Sequence, residues 1–227
     1  MAARDAANAA LPITKNKQEK ANMIVTDTHY IDEDSGTEYD RVTAPLNYFA
    51  TPDLQEFFKN NSKNKIEKIS TETKAIGTEV HLLTERLDKG EDIPMKGLCQ
   101  ETYHCLEAYN KFKKDKVKSI DAIEKFVRDD ELLIAGTIDR IINGDTVLDI
   151  KTSSQIKKTH KLQATVYADL AMRSMSTKIT KIAIVRLDKL TGEYEYVEES
   201  FDPYILHMYI CLLKDYRFFN NTNQQIF

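Results

Sequence analysis

Two aspartates and a lysine interrupt apolar segments near the middle of the chain. Asp139 lies in "GTIDRII", and Asp149 and Lys151 lie in "TVLDIKTS". Unpaired charge is costly to bury, so such residues are usually exposed, paired or bound to an ion. If the carboxylates converge, they form the hard oxygen pocket that Mg²⁺ and Mn²⁺ prefer. Such an ion activates water against a phosphodiester, and the lysine can stabilise the charge that develops. The three residues therefore indicate metal-assisted phosphodiester hydrolysis.

Convergence of the two carboxylates depends on the turn that joins their strands. Side chains alternate between the faces of a strand, so Asp139 reaches the face of Asp149 only through a loop of odd length or a bulge. A two-residue loop at residues 143–144 would turn Asp139 away. A three-residue loop at residues 142–144, closed by a left-handed glycine, would set it opposite Val147. An odd loop is therefore expected.

A further polar pattern follows on a predicted helix. Gln163 and Tyr167 are four residues apart and share one helix face, which His160 borders. Such pairs are common surface contacts when they occur alone. Because this pair comes directly after the two aspartates and their connecting loop, it is a candidate part of the same site.

The elements that must position these residues alternate between strands and helices. Apolar periodicity changes from helical to strand-like near residue 119 and back to helical near residue 159. Thr51 with Pro52 predicts one helix start, and Asp202 with Pro203 predicts another. The expected elements are a hairpin within residues 23–44, helices at 51–60, 65–89, 94–114, 159–174 and 202–219, and strands at 119–129, 131–142, 145–153, 178–189 and 192–200. This order predicts a central mixed β-sheet flanked by helices, in the α/β or α+β class.

A single domain is expected at residues 23–227, after a flexible leader at residues 1–22. Within it, residues 23–116 would form an N-terminal hairpin and helical part, and residues 117–227 a catalytic core. The chain has 227 residues, of which 41% are apolar, and this is enough for such a core. No apolar run reaches the length of a signal peptide or a membrane span, so a soluble, cytoplasmic protein is expected.

Composition argues against several kinds of site. Three cysteines without a CxxC pair do not suit a disulfide framework or a thiolate zinc site, and an iron–sulfur cluster normally needs four. The net charge of −4 gives no general attraction to nucleic acid. Two local basic runs, residues 111–118 and 151–161, can still contact phosphates. The second run adjoins the aspartates, and its candidate DNA contacts are Lys157, Lys158 and Lys161.

Together these segments resemble the PD-(D/E)XK nuclease superfamily, and within it the RecB-like branch, which includes phage and mitochondrial genome maintenance exonucleases. The family pattern is G-x-x-x-H on a helix, followed by G-x-x-D, D-x-K and Q-x-x-x-Y. The chain carries "GTEVH", "GTID", "DIK" and "QATVY" in that order. The matching residues are Gly77, His81, Gly136, Asp139, Asp149, Lys151, Gln163 and Tyr167. The resemblance implies a restriction-endonuclease-like core.

The resemblance also implies roles for individual residues. Lys151 would be the catalytic lysine, and Gln163 and Tyr167 would position it or the DNA backbone. Glu124, on the first of the three strands, is a further candidate ligand, or else an exposed strand residue. The groups that the resemblance places at a Mg²⁺ or Mn²⁺ ion are His81, Asp139, Asp149 and the carbonyl of Ile150. An iron–sulfur cluster is not expected. ATP-driven unwinding is not expected either, because the chain has no G-x-x-x-x-G-K-[ST] motif.

The leading hypothesis is a Mg²⁺- or Mn²⁺-dependent DNA exonuclease that prefers single-stranded ends and acts in replication, recombination or repair. A phage or mobile-element type is expected, with a replication or recombination protein as a candidate partner and no membrane contact. An endonuclease of the same fold is the nearest alternative. A catalytically silent DNA-binding module and an RNA-processing enzyme are further alternatives, since RNA selectivity depends on contacts to the 2′-OH.

Overall fold

The computed structural model describes Lys20, residues 22–48 and residues 63–220, with the backbone alone for residues 63–70. The helix expected at residues 51–60 lies outside these ranges, as does nearly all of the expected leader. No helix within them combines the length and the apolar character that crossing a membrane requires.

An eight-stranded mixed sheet forms the centre of the described part. Its strands are β1 (Met23–Val25), β2 (His29–Asp32), β3 (Glu38–Arg41), β4 (Ile120–Asp129), β5 (Ile134–Ile142), β6 (Thr146–Lys151), β7 (Lys181–Leu187) and β8 (Tyr194–Ser200). The order along the sheet is β1-β2-β3-β5-β6-β7-β8, and β4 lies off this path and pairs with β5. The β3–β5 and β6–β7 pairs are parallel, and the other pairs are antiparallel.

Strand β5 has two different neighbours along one of its edges. β4 runs along the other edge for the full length of β5. β3 pairs with the first residues of β5, Ile134 and Ala135, and β6 pairs with its last residues, Arg140 to Ile142. Residues 136–139 lie between these two neighbours. Among the described residues, the middle of β5 therefore has no strand partner on this edge.

Helices cover both faces of the sheet. They are α1 (Thr43–Tyr48), α2 (Lys63–Asp88), α3 (Gln100–Lys116), α4 (Lys158–Met175) and α5 (Pro203–Phe219). α4 and α5 pack on one face, against residues that include Ile141 and Val147. α2 and α3 pack on the other, against residues that include Leu148 and Ile150. α4 connects the parallel strands β6 and β7, which need a crossover of this kind. This is the mixed sheet flanked by helices that the sequence predicts.

In the N-terminal half one expectation is confirmed and extended, and another is wrong. The hairpin expected in residues 23–44 is present as β2–β3, joined through Ser35 and Gly36, and β1 adds a third strand to it before the chain runs into helix α1. The helix expected from Pro94 begins at Gln100. Gly97 has a φ of +98°, which a right-handed helix does not accommodate, and Ile93 is buried in the segment before the helix. The residues before α3 therefore form a loop, which contributes Ile93 to the core.

Candidate active site

Three carboxylates lie in a row across neighbouring strands. The β4–β5 register brackets Glu124 opposite Asp139. The β5–β6 register, in which Arg140 pairs with Leu148, brings Asp149 into line with Asp139. Residues at such positions on adjacent strands lie side by side, about 5 Å apart. The sheet therefore gathers acidic side chains from β4, β5 and β6 at one place.

The turn between β5 and β6 has the odd length that convergence needs. The pairing leaves a three-residue loop at residues 143–145. The expected loop at residues 142–144, which would set Asp139 opposite Val147, is wrong by one residue. The first two loop residues both have positive φ, +56° and +83°. The expected turn has one left-handed residue, at its last position. The observed turn has two, at its first two positions, and it ends one residue later in the chain.

Strand β5 is irregular at Asp139. In a regular strand, Ile138, Arg140 and Ile142 would face the same side of the sheet. Instead, Ile138 packs with the α4–α5 core, whereas Arg140 reaches α2 and Ile142 packs with the α2–α3 core. Opposite this switch, Glu124 has a φ of +46°. A left-handed backbone costs such a residue about 1–3 kcal/mol and persists at functional sites when the surroundings enforce it.

Asp139 is held from two sides. Its Oδ2 accepts a hydrogen bond from the N–H of Ile150 at 2.7 Å, and its Oδ1 lies 3.4 Å from Nδ1 of His81 on α2. Burial raises the pKa of this carboxyl, but His81, Lys151 and the N–H of Ile150 together outweigh burial and lower the pKa of Asp139 to about 2. Burial lowers the pKa of His81, but Asp139 outweighs it and raises that pKa. Helix α2 thus meets the sheet through an ion pair.

Asp149 presents an unsatisfied carboxylate oxygen. Only 1% of this residue is exposed. Its Oδ1 accepts a hydrogen bond from Nζ of Lys151 at 2.7 Å, but its Oδ2 has no hydrogen-bond partner among the described residues. Burial raises the pKa of Asp149 to about 6. A buried carboxylate oxygen without a partner is costly, and ligation of a cation would satisfy it.

Helix α4 supports the site through two side chains. The Oε1 of Gln163 accepts a hydrogen bond from Nζ of Lys151 at 3.2 Å, so this ammonium is held between Gln163 and Asp149. One turn later, the buried ring of Tyr167 packs on Gly136. A Cβ at Gly136 would lie 2.6 Å from Cε1 and 2.7 Å from the hydroxyl oxygen of Tyr167. Burial raises the pKa of Tyr167 well above its usual value, so the phenol stays protonated.

Three candidate metal ligands form a group. Ligand atoms of His81, Glu124 and Asp139 all lie within 4.8 Å of one another. Asp149 is not part of this group among the described residues, although the charge of Asp139 acts on it. Glu124, which is outside the motifs, therefore lies within reach of the same ion as the motif residues His81 and Asp139. The N–H of Ile150 binds Asp139, and ligation by its carbonyl stays a prediction.

A buried arginine outside the motifs braces this group. Arg140 donates hydrogen bonds from Nε to Asp88 at 2.6 Å, from Nη1 to Glu124 at 3.1 Å and from Nη2 to Thr84 at 3.4 Å. Asp88 and Thr84 belong to α2, the helix that carries His81. Arg140 thus ties α2 to β4 and β5 around the carboxylates. The sequence signal for it was a charge inside the apolar segment "IDRII".

The lysines expected to contact DNA lie at the start of α4. Lys158 is exposed, and Lys157 is half-buried. Lys161 forms an ion pair with Glu199 on β8, which partly neutralises it. In the other basic run, residues 111–118, two lysines also pair with carboxylates. Neither Lys157 nor Lys158 has an ion pair with a described residue, and their role in DNA binding stays a prediction.

Comparison with known proteins bears on the fold. No protein-family model matches the chain, and no curated protein matches its sequence. The crystal structure of a candidate exonuclease from Eubacterium rectale matches with a TM-score of 0.50 and 13% sequence identity, over 80% of this chain and 79% of that one. An alkaline exonuclease from Laribacter hongkongensis gives a TM-score of 0.44 and 10% identity, over 78% of this chain and 85% of that one. The first similarity confirms the predicted PD-(D/E)XK-like fold, and the RecB-like branch stays a prediction.

Proposed function

We propose that the chain is a metal-dependent deoxyribonuclease, and more narrowly an exonuclease that prefers single-stranded DNA ends. The observation that carries the proposal is the unpartnered, buried Oδ2 of Asp149, beside Lys151 and in line with Asp139. A row of carboxylates with an unsatisfied oxygen is most simply explained by a cation. The Eubacterium rectale protein, which shares the fold and is named as a candidate exonuclease, supports nuclease chemistry.

The residues present fit a Mg²⁺ or Mn²⁺ ion. The side chains that would hold it are His81, Glu124 and Asp139, whose ligand atoms lie together. Asp149, which lies outside this group, offers its unpartnered Oδ2 as a further ligand. One imidazole among three carboxylates keeps the donor set predominantly hard oxygen, as these ions prefer. The chemistry that such an ion supplies when bound is polarisation of the scissile phosphate and a lowered pKa of the attacking water.

Lys151 would act on the same phosphate. Asp149 and Gln163 hold its ammonium at 2.7 Å and 3.2 Å, so its position is set before a substrate arrives. From there the ammonium would donate a hydrogen bond to the attacked phosphate or orient the water, and it would stabilise the negative charge that develops. Lys157, Lys158 and Lys161 would contact phosphates along the strand, because such contacts fix the register of a nucleic acid.

The resemblance to phage and mitochondrial exonucleases supports the finer part of the proposal. We place the enzyme in DNA replication, recombination or repair of a phage or mobile element, in the cytoplasm and with a replication or recombination protein as partner. An endonuclease of the same fold would use the same side chains, since end specificity comes from the surroundings of the site. RNA as substrate would require contacts to the 2′-OH.

Digestion of end-labelled nucleic acid tests the proposal. The protein is incubated with 5′- and 3′-labelled single- and double-stranded DNA, and with RNA, in Mg²⁺, Mn²⁺ or EDTA. Asp149→Ala and Lys151→Ala are expected to lower the rate about 100-fold or more. The control variants Asp215→Ala and Lys214→Ala change exposed residues of α5 and should retain the rate.

The labelled products separate the two kinds of nuclease. Shortening from one end supports an exonuclease, and internal cuts indicate an endonuclease. DNA binding without cleavage in either metal would contradict the proposal.

A further inference from the structure

His160 lies beside the site without belonging to its motifs. It is in the first turn of α4, three residues before Gln163, so both side chains share one helix face. Gln163 contacts Lys151 directly. The charge of Lys151 also acts on His160. The imidazole therefore stands at the N-terminal end of the row of α4 side chains that faces the site.

The two ring nitrogens of His160 differ in their environment. Nδ1 accepts a hydrogen bond from the backbone N–H of Lys157 at 3.1 Å, which satisfies an amide at the start of α4. A nitrogen that accepts this bond carries no proton, so in the neutral ring the proton is on Nε2. Burial and the charges of Lys151 and Lys157 lower the pKa of His160 to about 4, so the ring is neutral at physiological pH. Among the described residues, Nε2 has no hydrogen-bond partner.

The surroundings of this N–H donor suit an anion. The charged groups that act on His160 are the ammonium groups of Lys151 and Lys157, and no carboxylate of the described residues is among them. The two ammonium groups beside this donor favour the binding of a negatively charged acceptor and disfavour the binding of a cation. Phosphate oxygens of a nucleic acid are such acceptors, and proteins contact them with neutral donors as well as with lysines.

We propose that His160 binds a phosphate of the substrate strand through Nε2–H, next to the phosphate that Lys151 faces. The inference rests on the proposed nuclease function and adds a defined substrate contact to it. In this arrangement Nδ1 accepts the hydrogen bond that caps the first turn of α4, and Nε2–H donates a hydrogen bond to the nucleic-acid strand. One ring then links the position of the substrate to the helix that also carries Gln163.

Two substitutions separate the roles of the two nitrogens. In His160→Asn the amide oxygen can still accept the N–H of Lys157, but no donor reaches the position of Nε2. In His160→Gln an amide N–H reaches that position, but the N–H of Lys157 loses its acceptor. His207→Asn changes an exposed histidine of α5 and is the matched control.

The test measures DNA binding and turnover of the full chain. Binding of a fluorescent single-stranded oligonucleotide is followed by anisotropy in EDTA, KM and kcat are measured in Mn²⁺, and the melting temperature reports on the helix start. His160→Asn is expected to weaken binding and raise KM about tenfold or more, the loss of one hydrogen bond to a charged group, with an unchanged melting temperature. His160→Gln should bind within about threefold of the wild type but melt at a lower temperature.

The opposite pattern would overturn the inference. If His160→Asn binds like the wild type, the histidine serves only to cap the helix. Failure of the nuclease proposal gives a different result, namely a wild-type protein that binds the oligonucleotide in EDTA but does not cleave in Mn²⁺. In that case the anisotropy comparison still decides whether His160 contacts phosphate. Cleavage by the wild type together with unaltered KM and binding in His160→Asn would overturn the inference alone.

Discussion

At the scale of single residues, Tyr167 leaves no room for a side chain at Gly136. The space that a Cβ at position 136 would need is occupied by the tyrosine ring and its hydroxyl, at 2.6 Å and 2.7 Å. We expect Gly136→Ala to displace either the ring or β5, with a loss of about 1–3 kcal/mol in the free energy of unfolding. Cleavage should also fall, because β5 carries Asp139. Urea unfolding and the digestion assay measure the two effects.

The other motif glycine provides the control for this prediction. Gly77 is a helical residue of α2, and a Cβ there would meet only Oγ1 of Thr152, at an ordinary 3.5 Å. Gly77→Ala should therefore fold and cleave normally, and replacing glycine in a helix interior should stabilise it by up to about 1 kcal/mol. Equal losses in the two alanine variants, or a fully active Gly136→Ala, would contradict the packing argument.

Glu124 is the residue at which metal binding can be separated from structure. Glu124→Gln keeps an oxygen that can accept the hydrogen bond of Arg140, but it removes the negative charge beside His81 and Asp139. We expect the affinity for Mn²⁺ to fall about tenfold or more, because even residues that only support a metal ligand change affinity by that factor. Calorimetric titration with Mn²⁺ measures it, with the exposed Glu131→Gln as control. Unchanged affinity in Glu124→Gln would remove this residue from the ligand set.

Chemistry and spacing make some site residues predictable and leave others hidden. Asp139, Asp149 and Lys151 could be identified because charged residues within otherwise apolar strands are rare and their spacing repeats a known pattern. The contribution of Glu124 depends on the β4–β5 register, which the sequence does not specify. Arg140 could not be assigned a role, because its partner Asp88 is 52 residues away in the chain.

At the scale of elements, the contact between α2 and the sheet depends on the buried pair of Arg140 and Asp88. Both side chains are fully buried, and Asp88 also accepts a hydrogen bond from Tyr109 on α3. Arg140→Met would remove the guanidinium that offsets the buried negative charge of Asp88, and it would remove the hydrogen-bond donor of Glu124. Removing one partner of a buried ion pair costs about 3–5 kcal/mol, so we expect a loss of that order in urea unfolding.

An exposed ion pair at the C-terminal end of the same helix calibrates this expectation. Arg86 and Glu91 are paired at 2.7 Å with both side chains partly exposed, and breaking such a pair costs about 0–1 kcal/mol. Arg86→Met should therefore be nearly neutral. A small effect of Arg140→Met, similar to that of Arg86→Met, would mean that the buried pair of Arg140 and Asp88 contributes little to holding α2 on the sheet.

Periodicity predicted most strands and helices because burial on one or both faces constrains their sequences directly. It did not predict the start of α3, where the positive φ of Gly97 decides against helix. It also placed the β5–β6 loop one residue too early, since two left-handed residues in succession are a property of the folded turn. Local sequence thus indicates that a turn exists, whereas strand pairing decides where it closes.

At the scale of the whole molecule, the two cores share the same strands. On β6, Val147 packs with α4 and α5, whereas Leu148 packs with α2 and α3. Neither helix layer can therefore leave the sheet without exposing apolar residues of strands that the other layer also covers. Single domains under about 150 residues usually unfold in one cooperative step, and the shared strands should extend this behaviour to a longer chain. We expect the same for the described part of this chain.

The cysteines allow this cooperativity to be measured. Cys99 and Cys211 are exposed, whereas Cys105 is fully buried between α3 and the sheet. Burial also raises the pKa of the Cys105 thiol to about 12, so little reactive thiolate forms at neutral pH. In the native protein two thiols should react rapidly with a thiol reagent, and the third should react only through opening of the structure. Its reaction rate against urea concentration, measured by mass spectrometry of the alkylated peptide, gives the free energy of that opening.

The free energy of opening measured at Cys105 discriminates between local and global unfolding. If both cores unfold together, the free energy from Cys105 labelling equals the free energy of unfolding from circular dichroism, and both depend on urea with the same slope. Cys105→Ala, which keeps the two exposed thiols, should remove the slow phase and leave the fast one unchanged. A Cys105 that opens with a much smaller free energy and slope would show that α3 separates from the sheet independently. The α2–α3 layer, which carries His81, would then move relative to the sheet. The contacts that hold it in place would be mainly the ion pairs of Asp88 and Asp139.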